Sequence, residues 1–204
     1  MLKRLFDVAF SAVGLLILWP VLAAVALWIK VDSRGPVFYR GVRVGRFGRP
    51  FRIFKFRTMV ADAEARGGTS TASDDPRLTR CGEVLRRYKL DELPQLVNVL
   101  LGHMSVVGPR PQVQWAVDLY DEEERHLLDV RPGITDEASL RFRDEGELLK
   151  GHEDSDRAYM ELIAPVKVRL GLAYVRSHSF LGDVRIILRT LAALVGFKEG
   201  PSGR

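Results

Sequence analysis

The sequence predicts an α+β, predominantly helical domain attached to a membrane, and three observations carry that reading. Val8 to Ile29 is a run of 22 residues without one charge. Phe51 to Phe56 alternates apolar and basic residues as a small β-ribbon would. The remaining chain falls into helix-length segments punctuated by Gly and Pro, with no internal repeat.

A chain of 204 residues with 47% hydrophobic content holds one ordinary domain with a sizeable core and is too short for two. The single cysteine, Cys81, excludes an internal disulfide, so this is not a disulfide-stapled secreted domain. A net charge of +5 suits acidic partners: nucleic acid, anionic lipid or phosphorylated substrates. Charge alone does not choose among them. No finger spacing or basic motif interleaved with aromatics supports nucleic acid, which is set aside.

As a straight helix, the apolar run would be about 33 Å long, enough to cross a hydrocarbon core of about 30 Å. A cleavable signal peptide has a shorter apolar core of about 7–15 residues, whereas this run continues into Trp28-Ile29-Lys30. Pro20 should break or kink it, because proline removes a helical hydrogen bond. Both flanks are basic, with Lys3 and Arg4 before it and Lys30, Arg34 and Arg40 among those after it. Positive flanks favour the cytoplasmic side. A re-entrant hairpin that breaks at Trp19-Pro20 satisfies both ends, and a kinked span outvoted by its more basic end remains the alternative.

Gly35-Pro36 ends this segment. In the ribbon that follows, alternation places Arg52, Phe54 and Phe56 on one side and Ile53, Lys55 and Arg57 on the other. Asp62 to Arg66 reads as a short helical stretch and residues 67–73 as a mobile loop. Asp74-Asp75 resembles a metal-holding carboxylate pair, but Asp75-Pro76 is favoured as a turn start. Gly82 to Leu90 reads as helix, and Pro94 restarts one through Leu101. The Gly108-Pro109-Arg110-Pro111 stretch must be extended. Gln114 to Val130 reads as one amphipathic helix, residues 156–176 as a helix interrupted near Pro165, and Leu181 to Phe197 as the last helix.

Chemistry is expected at Asp91 and Glu92, just before the proline-started helix. They serve either as an N-terminal cap or as a nucleophile beside a cation-holding carboxylate. Adjacent helical positions point about 100° apart, so the two are not expected to share one partner symmetrically. Arg110, fixed between prolines, is either an exposed turn arginine or a phosphate fork. Lys55 with Arg57, and Arg86 with Arg87, are basic pairs that could equally be solvated faces. Together a membrane segment, a basic ribbon, a carboxylate pair and a rigid arginine suit a substrate both greasy and phosphorylated.

The chain resembles the bacterial sugar transferases, small monotopic phosphoglycosyl transferases, over nearly its whole length. The resemblance runs through Lys3-Arg4-Leu5-Phe6-Asp7, the Pro-broken helix, Asp32-Ser33-Arg34-Gly35-Pro36, Phe54-Lys55-Phe56-Arg57-Thr58-Met59, Leu90-Asp91-Glu92-Leu93-Pro94-Gln95-Leu96, Met104 to Pro111 and Pro132-Gly133-Ile134-Thr135. It implies transfer of a phosphosugar from a UDP-sugar to polyprenyl phosphate at the cytoplasmic face of the bacterial inner membrane, with release of UMP, as the first membrane step of glycoconjugate assembly. It also implies residues 1–30 as a re-entrant helix-break-helix with Pro20 at the break, and 31–204 as a catalytic domain with interfacial helices. Arg185 and Arg189 would mark one such helix. Asp91 would be the nucleophile, Glu92 would help bind Mg2+, and Lys55, Arg86 and Arg110 would contact phosphate. A homodimer is compatible with the family.

Two departures stand out. Residues 136–145 replace a Gly-rich pattern common in the family, and Gly171 replaces an aspartate, so sugar selectivity does not carry over and neither does that aspartate's role. Asp183 is a remote candidate for metal. The alternative class is a non-enzymatic membrane scaffold that binds anionic lipid.

Overall fold

The computed structural model describes residues 1–68 and 70–194. The expected loop at 67–73 includes Thr69, and the expected last helix runs to 197, so both extend outside the described residues.

Helix α1, Leu2–Asp32, is long and apolar enough to cross a membrane. The break expected at Pro20 does not interrupt it: Pro20 lies inside one helical element rather than between two. Leu16, Ile17, Trp19, Leu27 and Trp28 are exposed along it. Its two ends, however, are fastened to the same body. At the start, Lys3 Nζ donates to Val107 O at 3.0 Å and Arg4 donates to Val99 O at 2.7 Å. At the far end, Ile29 packs with Phe56, Cys81 and Leu85, and Asp32 accepts the Cys81 N–H at 3.2 Å.

The ribbon forms as two antiparallel pairs. β1 (Phe38–Tyr39) pairs with β4 (Lys55–Phe56), and β2 (Val42–Val44) pairs with β3 (Pro50–Arg52). The single alternation expected from 52 to 57 is corrected. Phe51 and Ile53 are buried with Arg52 exposed between them, but Phe56 and Arg57 are both buried. The cause is an interruption between β3 and β4. There Asn98, fully buried on a later helix, accepts the Phe54 N–H at 2.7 Å and donates to Arg52 O at 2.9 Å. Arg57 is buried because its guanidinium caps the turn after α1, donating to Pro36 O at 2.6 Å and Ser33 O at 2.9 Å.

Residues 63–66 form the expected short helical turn, and Asp75 behaves as a turn residue, accepting from its neighbour Arg77. Helix α2 (Arg80–Arg87) starts at Thr79, whose side chain accepts the Gly82 N–H. Helix α3 (Gln95–Leu100) follows Pro94 as expected. The sequence reading did not anticipate β5 (Ser105–Val107) and β6 (Gly133–Thr135), which pair in parallel. The helix expected from 114 to 130 is also corrected. It splits into α4 (Gln114–Asp118) and a turn at Glu124–Asp129. Asp121 accepts the Glu124 N–H at 2.8 Å while Glu124 accepts the Asp121 N–H at 3.1 Å. That reciprocal capping starts a new segment.

Within the departure from the family pattern lie two further short helices, α5 (Glu137–Arg141) and α6 (Glu145–Leu148). The expected interruption near Pro165 separates α7 (Ser155–Leu162) from α8 (Ala164–Ser177), and α9 (Phe180–Leu194) completes the described chain. The main core joins Phe51, Ile53, Val99, Met104, Val106 and Val107 to Ile186 and Ile187 of α9. Arg189 of α9 faces the protein and pairs with Glu137 at 2.6 Å, while Arg185 is exposed. Only one of the two arginines is therefore placed as an interfacial side chain would be.

Candidate active site

Asp91 and Glu92 lie on a tight turn, Leu90–Glu92, between α2 and α3. Lys89 starts the turn with a left-handed backbone, φ 57°, and its carbonyl accepts the Glu92 N–H at 3.3 Å. A non-glycine residue held there costs on the order of 1–2 kcal/mol, a strain that clusters at functional sites.

The turn buries Asp91 to 4% exposure. Its Oδ2 is 3.4 Å from Lys55 Nζ, whereas its buried Oδ1 has no hydrogen-bond partner among the described residues. Lys55 also reaches Glu92 Oε1 at 3.0 Å. One lysine thus does bridge both carboxylates, unequally, because the longer glutamate side chain makes up for the divergence of adjacent positions. Lys55 is delivered there by the Asn98 clamp just before β4.

Arg110 takes Glu92 as a two-pronged fork, with Nη1 2.9 Å from Oε2 and Nη2 on Oε1. Such a fork requires a fixed backbone. Pro109 and Pro111 flank it, and Gly133 N–H donates to Pro109 O at 2.9 Å. The chains meet so closely that a Cβ at Gly133 would lie 2.1 Å from Gly108 N. Burial opposes the charge on Glu92, but Arg110 and then Lys55 outweigh it and hold the carboxyl well below the usual range. Glu92 in turn raises the Arg110 guanidinium. Burial holds Lys89 below an ordinary lysine.

These groups line a cavity of about 340 Å³. One wall is cationic, with Lys55, Arg86, Lys89 and Arg110. Arg86 joins it, its guanidinium donating to Thr71 O at 3.5 Å. Another wall is apolar and belongs to the membrane helix: Phe10, Gly14 and Leu18 recur every four residues along α1 and face α3 and α9 across the cavity. Pro20 is not among the lining residues.

Asp91, Glu92, Lys55, Arg86 and Arg110 are therefore together, as the motifs led one to expect. Asp183 is elsewhere. It is buried, pairs with Lys3 at 2.5 Å and accepts the Tyr174 hydroxyl at 2.7 Å, so it anchors α1. At Gly171 a Cβ would meet Leu127 Cδ2 at 2.7 Å, so Leu127 would have to shift before any side chain fitted there. Sequence reasoning missed Ser139, Arg143, Glu145 and Lys167, which also line the cavity. They carry no spacing signal, since Lys167 and Glu145 meet across 22 residues. No group of three or more His, Cys, Asp or Glu side chains gathers among the described residues. The adjacent pair at 91 and 92 suits a hard cation that takes its remaining ligands from phosphate and water.

The chain is 41% identical over 201 residues to the exopolysaccharide production protein PSS of Rhizobium leguminosarum bv. phaseoli, covering 94% of each. It is 36% identical to the UDP-glucose:undecaprenyl-phosphate glucose-1-phosphate transferase of Escherichia coli K12, over 94% of this chain and 39% of that protein. With the undecaprenyl-phosphate glucose phosphotransferase of Komagataeibacter xylinus the identity is 43%, over 93% of this chain and 35% of that protein. The chain thus spans less than half the length of these last two relatives. A family model described as bacterial sugar transferase matches residues 1–196, and the chain belongs to that family.

Proposed function

We propose that the chain is a phosphoglycosyl transferase that moves a sugar 1-phosphate from a UDP-sugar to undecaprenyl phosphate, the entry step of polysaccharide assembly. The observation that carries this reading is the cavity itself. It joins the carboxylates of Asp91 and Glu92 and the cationic wall of Lys55, Arg86, Lys89 and Arg110 to an apolar wall supplied by α1. A soluble diphosphate and a lipid phosphate can meet only where such walls adjoin.

In the mechanism, an Asp91 oxygen attacks the sugar-linked phosphorus. The bond from that phosphorus to the bridging oxygen breaks, and UMP leaves with the bonding electrons. An oxygen of the lipid phosphate then attacks the same phosphorus. The Asp91–phosphorus bond breaks and the carboxylate is restored. Lys55, Arg86 and Arg110 bind phosphate oxygens, and Arg110 also orients Glu92. Glu92 would hold Mg2+, which would offset the charge of the diphosphate. Asp91 lines the cavity and is held by Lys55 through Oδ2 alone, which supports its role as the attacking group.

The membrane arrangement belongs to the same reading. Both ends of α1 dock on one body, which supports a helix that enters and leaves on the cytoplasmic face, with Pro20 at its deepest part. The exposed Leu181, Leu188 and Leu191 of α9 extend the same greasy surface.

The test is a panel of UDP-sugars with undecaprenyl phosphate and Mg2+, scored for UMP release and for a phosphosugar adduct on the protein. Wild type should turn over and Asp91→Asn should lose both signals. Full activity in Asp91→Asn would overturn the mechanism. Salt-sensitive binding to anionic vesicles with no turnover would favour a scaffold.

A further inference from the structure

The cavity holds a third carboxylate that the mechanism above does not use. Glu145 begins α6, in the stretch where this chain departs from the common family pattern. Lys167 of α8 forms an ion pair with its Oε2, and the two side chains keep 10% exposure at the lysine and 29% at the glutamate. Both residues line the catalytic cavity. The charge of Glu145 is felt by Arg110, which places it within electrostatic reach of the fork on Glu92.

A carboxylate is a poor neighbour for a diphosphate even when ion-paired, because both offer acceptors only and like charges repel. Lys55, Arg86 and Arg110 already serve the phosphates. Glu145 therefore suits a neutral part of the donor, and the neutral part that reaches past the sugar-linked phosphorus is the sugar. A carboxylate is an acceptor only, with two oxygens that can each accept a hydroxyl hydrogen bond, and among the described residues Lys167 occupies just one of them. Around it the wall continues with hydroxyls: Ser139 lines the cavity, and Thr135 and Thr190 meet there at 2.7 Å. Arg143, two residues before Glu145, also lines the cavity and donates to Ala193 O, which ties this wall to α9.

We infer that Glu145, positioned by Lys167, accepts hydrogen bonds from hydroxyls of the donor's sugar and sets which hexose is transferred. The inference rests on the transferase reading above. It identifies the ligand class as a hexose with neighbouring free hydroxyls. A site built to bond a hydroxyl rejects an analogue lacking it more strongly than an apolar pocket rejects an extra group.

The experiment compares wild type, Glu145→Gln, Glu145→Asp and Lys167→Met on UDP-glucose, UDP-galactose, their N-acetyl counterparts and deoxy analogues. Inhibition by UMP, which lacks the sugar, is measured alongside. Glu145→Gln should raise KM for the preferred donor by about tenfold. It should also flatten the preference among donors and leave UMP inhibition unchanged. Lys167→Met should raise the same KM with a smaller change in kcat, and Glu145→Asp, which keeps the charge, should recover part of the loss. An unaltered donor preference in Glu145→Gln overturns the inference. If that variant does not fold, unaltered preference in Glu145→Asp overturns it instead. A wild type inactive on every donor overturns the transferase reading and this inference with it, whereas an active wild type with an indifferent Glu145 overturns only the latter.

Discussion

The carboxylate of Asp7 accepts the Ser105 hydroxyl at 2.9 Å across a sequence separation of 98 residues, and the Val106 N–H joins it at 3.1 Å. All three positions are buried. The membrane helix is thus bonded to the strand that leads, three residues later, into the loop of Arg110. Asp7→Ala would leave a hydroxyl and an N–H without their partner. It should destabilise the protein by about 2 kcal/mol. Thermal unfolding in detergent measures this, and an unshifted transition would show that the contact contributes nothing.

Arg110→Lys keeps the charge and loses the fork. Since hydrogen bonds to charged groups contribute about 1.5–3 kcal/mol, kcat/KM should fall about tenfold to a hundredfold. Initial rates of UMP release and the yield of adduct report it. A lysine that works as well as the arginine would mean that Glu92 needs no bidentate partner.

The depressed Glu92 carboxyl gives a pH signature. A carboxyl whose folded pKa lies below its unfolded value contributes stability above the unfolded pKa, about 4.3, and loses it as pH falls through the folded one. The difference in stability between wild type and Glu92→Gln should be flat from about pH 5 to 8 and shrink only below about pH 4. Denaturant midpoints across that range decide. A difference that already collapses near pH 6 would contradict the pairing with Arg110 and Lys55.

Gly82→Ala would place a Cβ 1.9 Å from the Thr58 carbonyl oxygen, which is backbone and cannot swing aside. The loss should be about 3 kcal/mol or more. Gly48→Ala meets nothing within 4 Å and bears only its left-handed backbone, φ +73°. It should lose about 1–2 kcal/mol. Equal melting temperatures for the two would refute the close approach of α2 to the Thr58 strand end.

Cysteine labelling tests how α1 sits in the bilayer. Cys81 is fully buried, and burial pushes its thiol up to about 11, so it contributes little background. Leu2 and Val31 are exposed at opposite ends of the helix. Leu2→Cys and Val31→Cys should both react with an impermeant thiol reagent in inside-out vesicles and in neither case from the outer face. Labelling from opposite faces would establish a span.

What the sequence made legible follows from local chemistry. The uncharged run, Pro94 and the Pro-flanked Arg110 each act on their own neighbours, and each does what its residue type dictates. The meeting of Asp91, Glu92, Lys55, Arg86 and Arg110 was legible only through the resemblance to the family. The parallel pairing of β5 with β6 was not, because it depends on the fit of Gly108 against Gly133, 25 positions apart. Nor was the bridging role of Lys55, which depends on Asn98 interrupting the ribbon. Glu145 and Lys167 were silent for the same reason: each is an ordinary surface-type residue until tertiary contact brings them together.

The tie between Lys3 and Asp183 carries a consequence for biosynthesis. Its partners are 180 residues apart. At the usual translation rate of about 5–20 residues per second, the aspartate leaves the ribosome about ten to forty seconds after the lysine. The apolar helix is complete long before its clamp exists. Docking of its first turn on α9 therefore comes last, so a nascent protein stalled before α9 would have its cavity still open on one side.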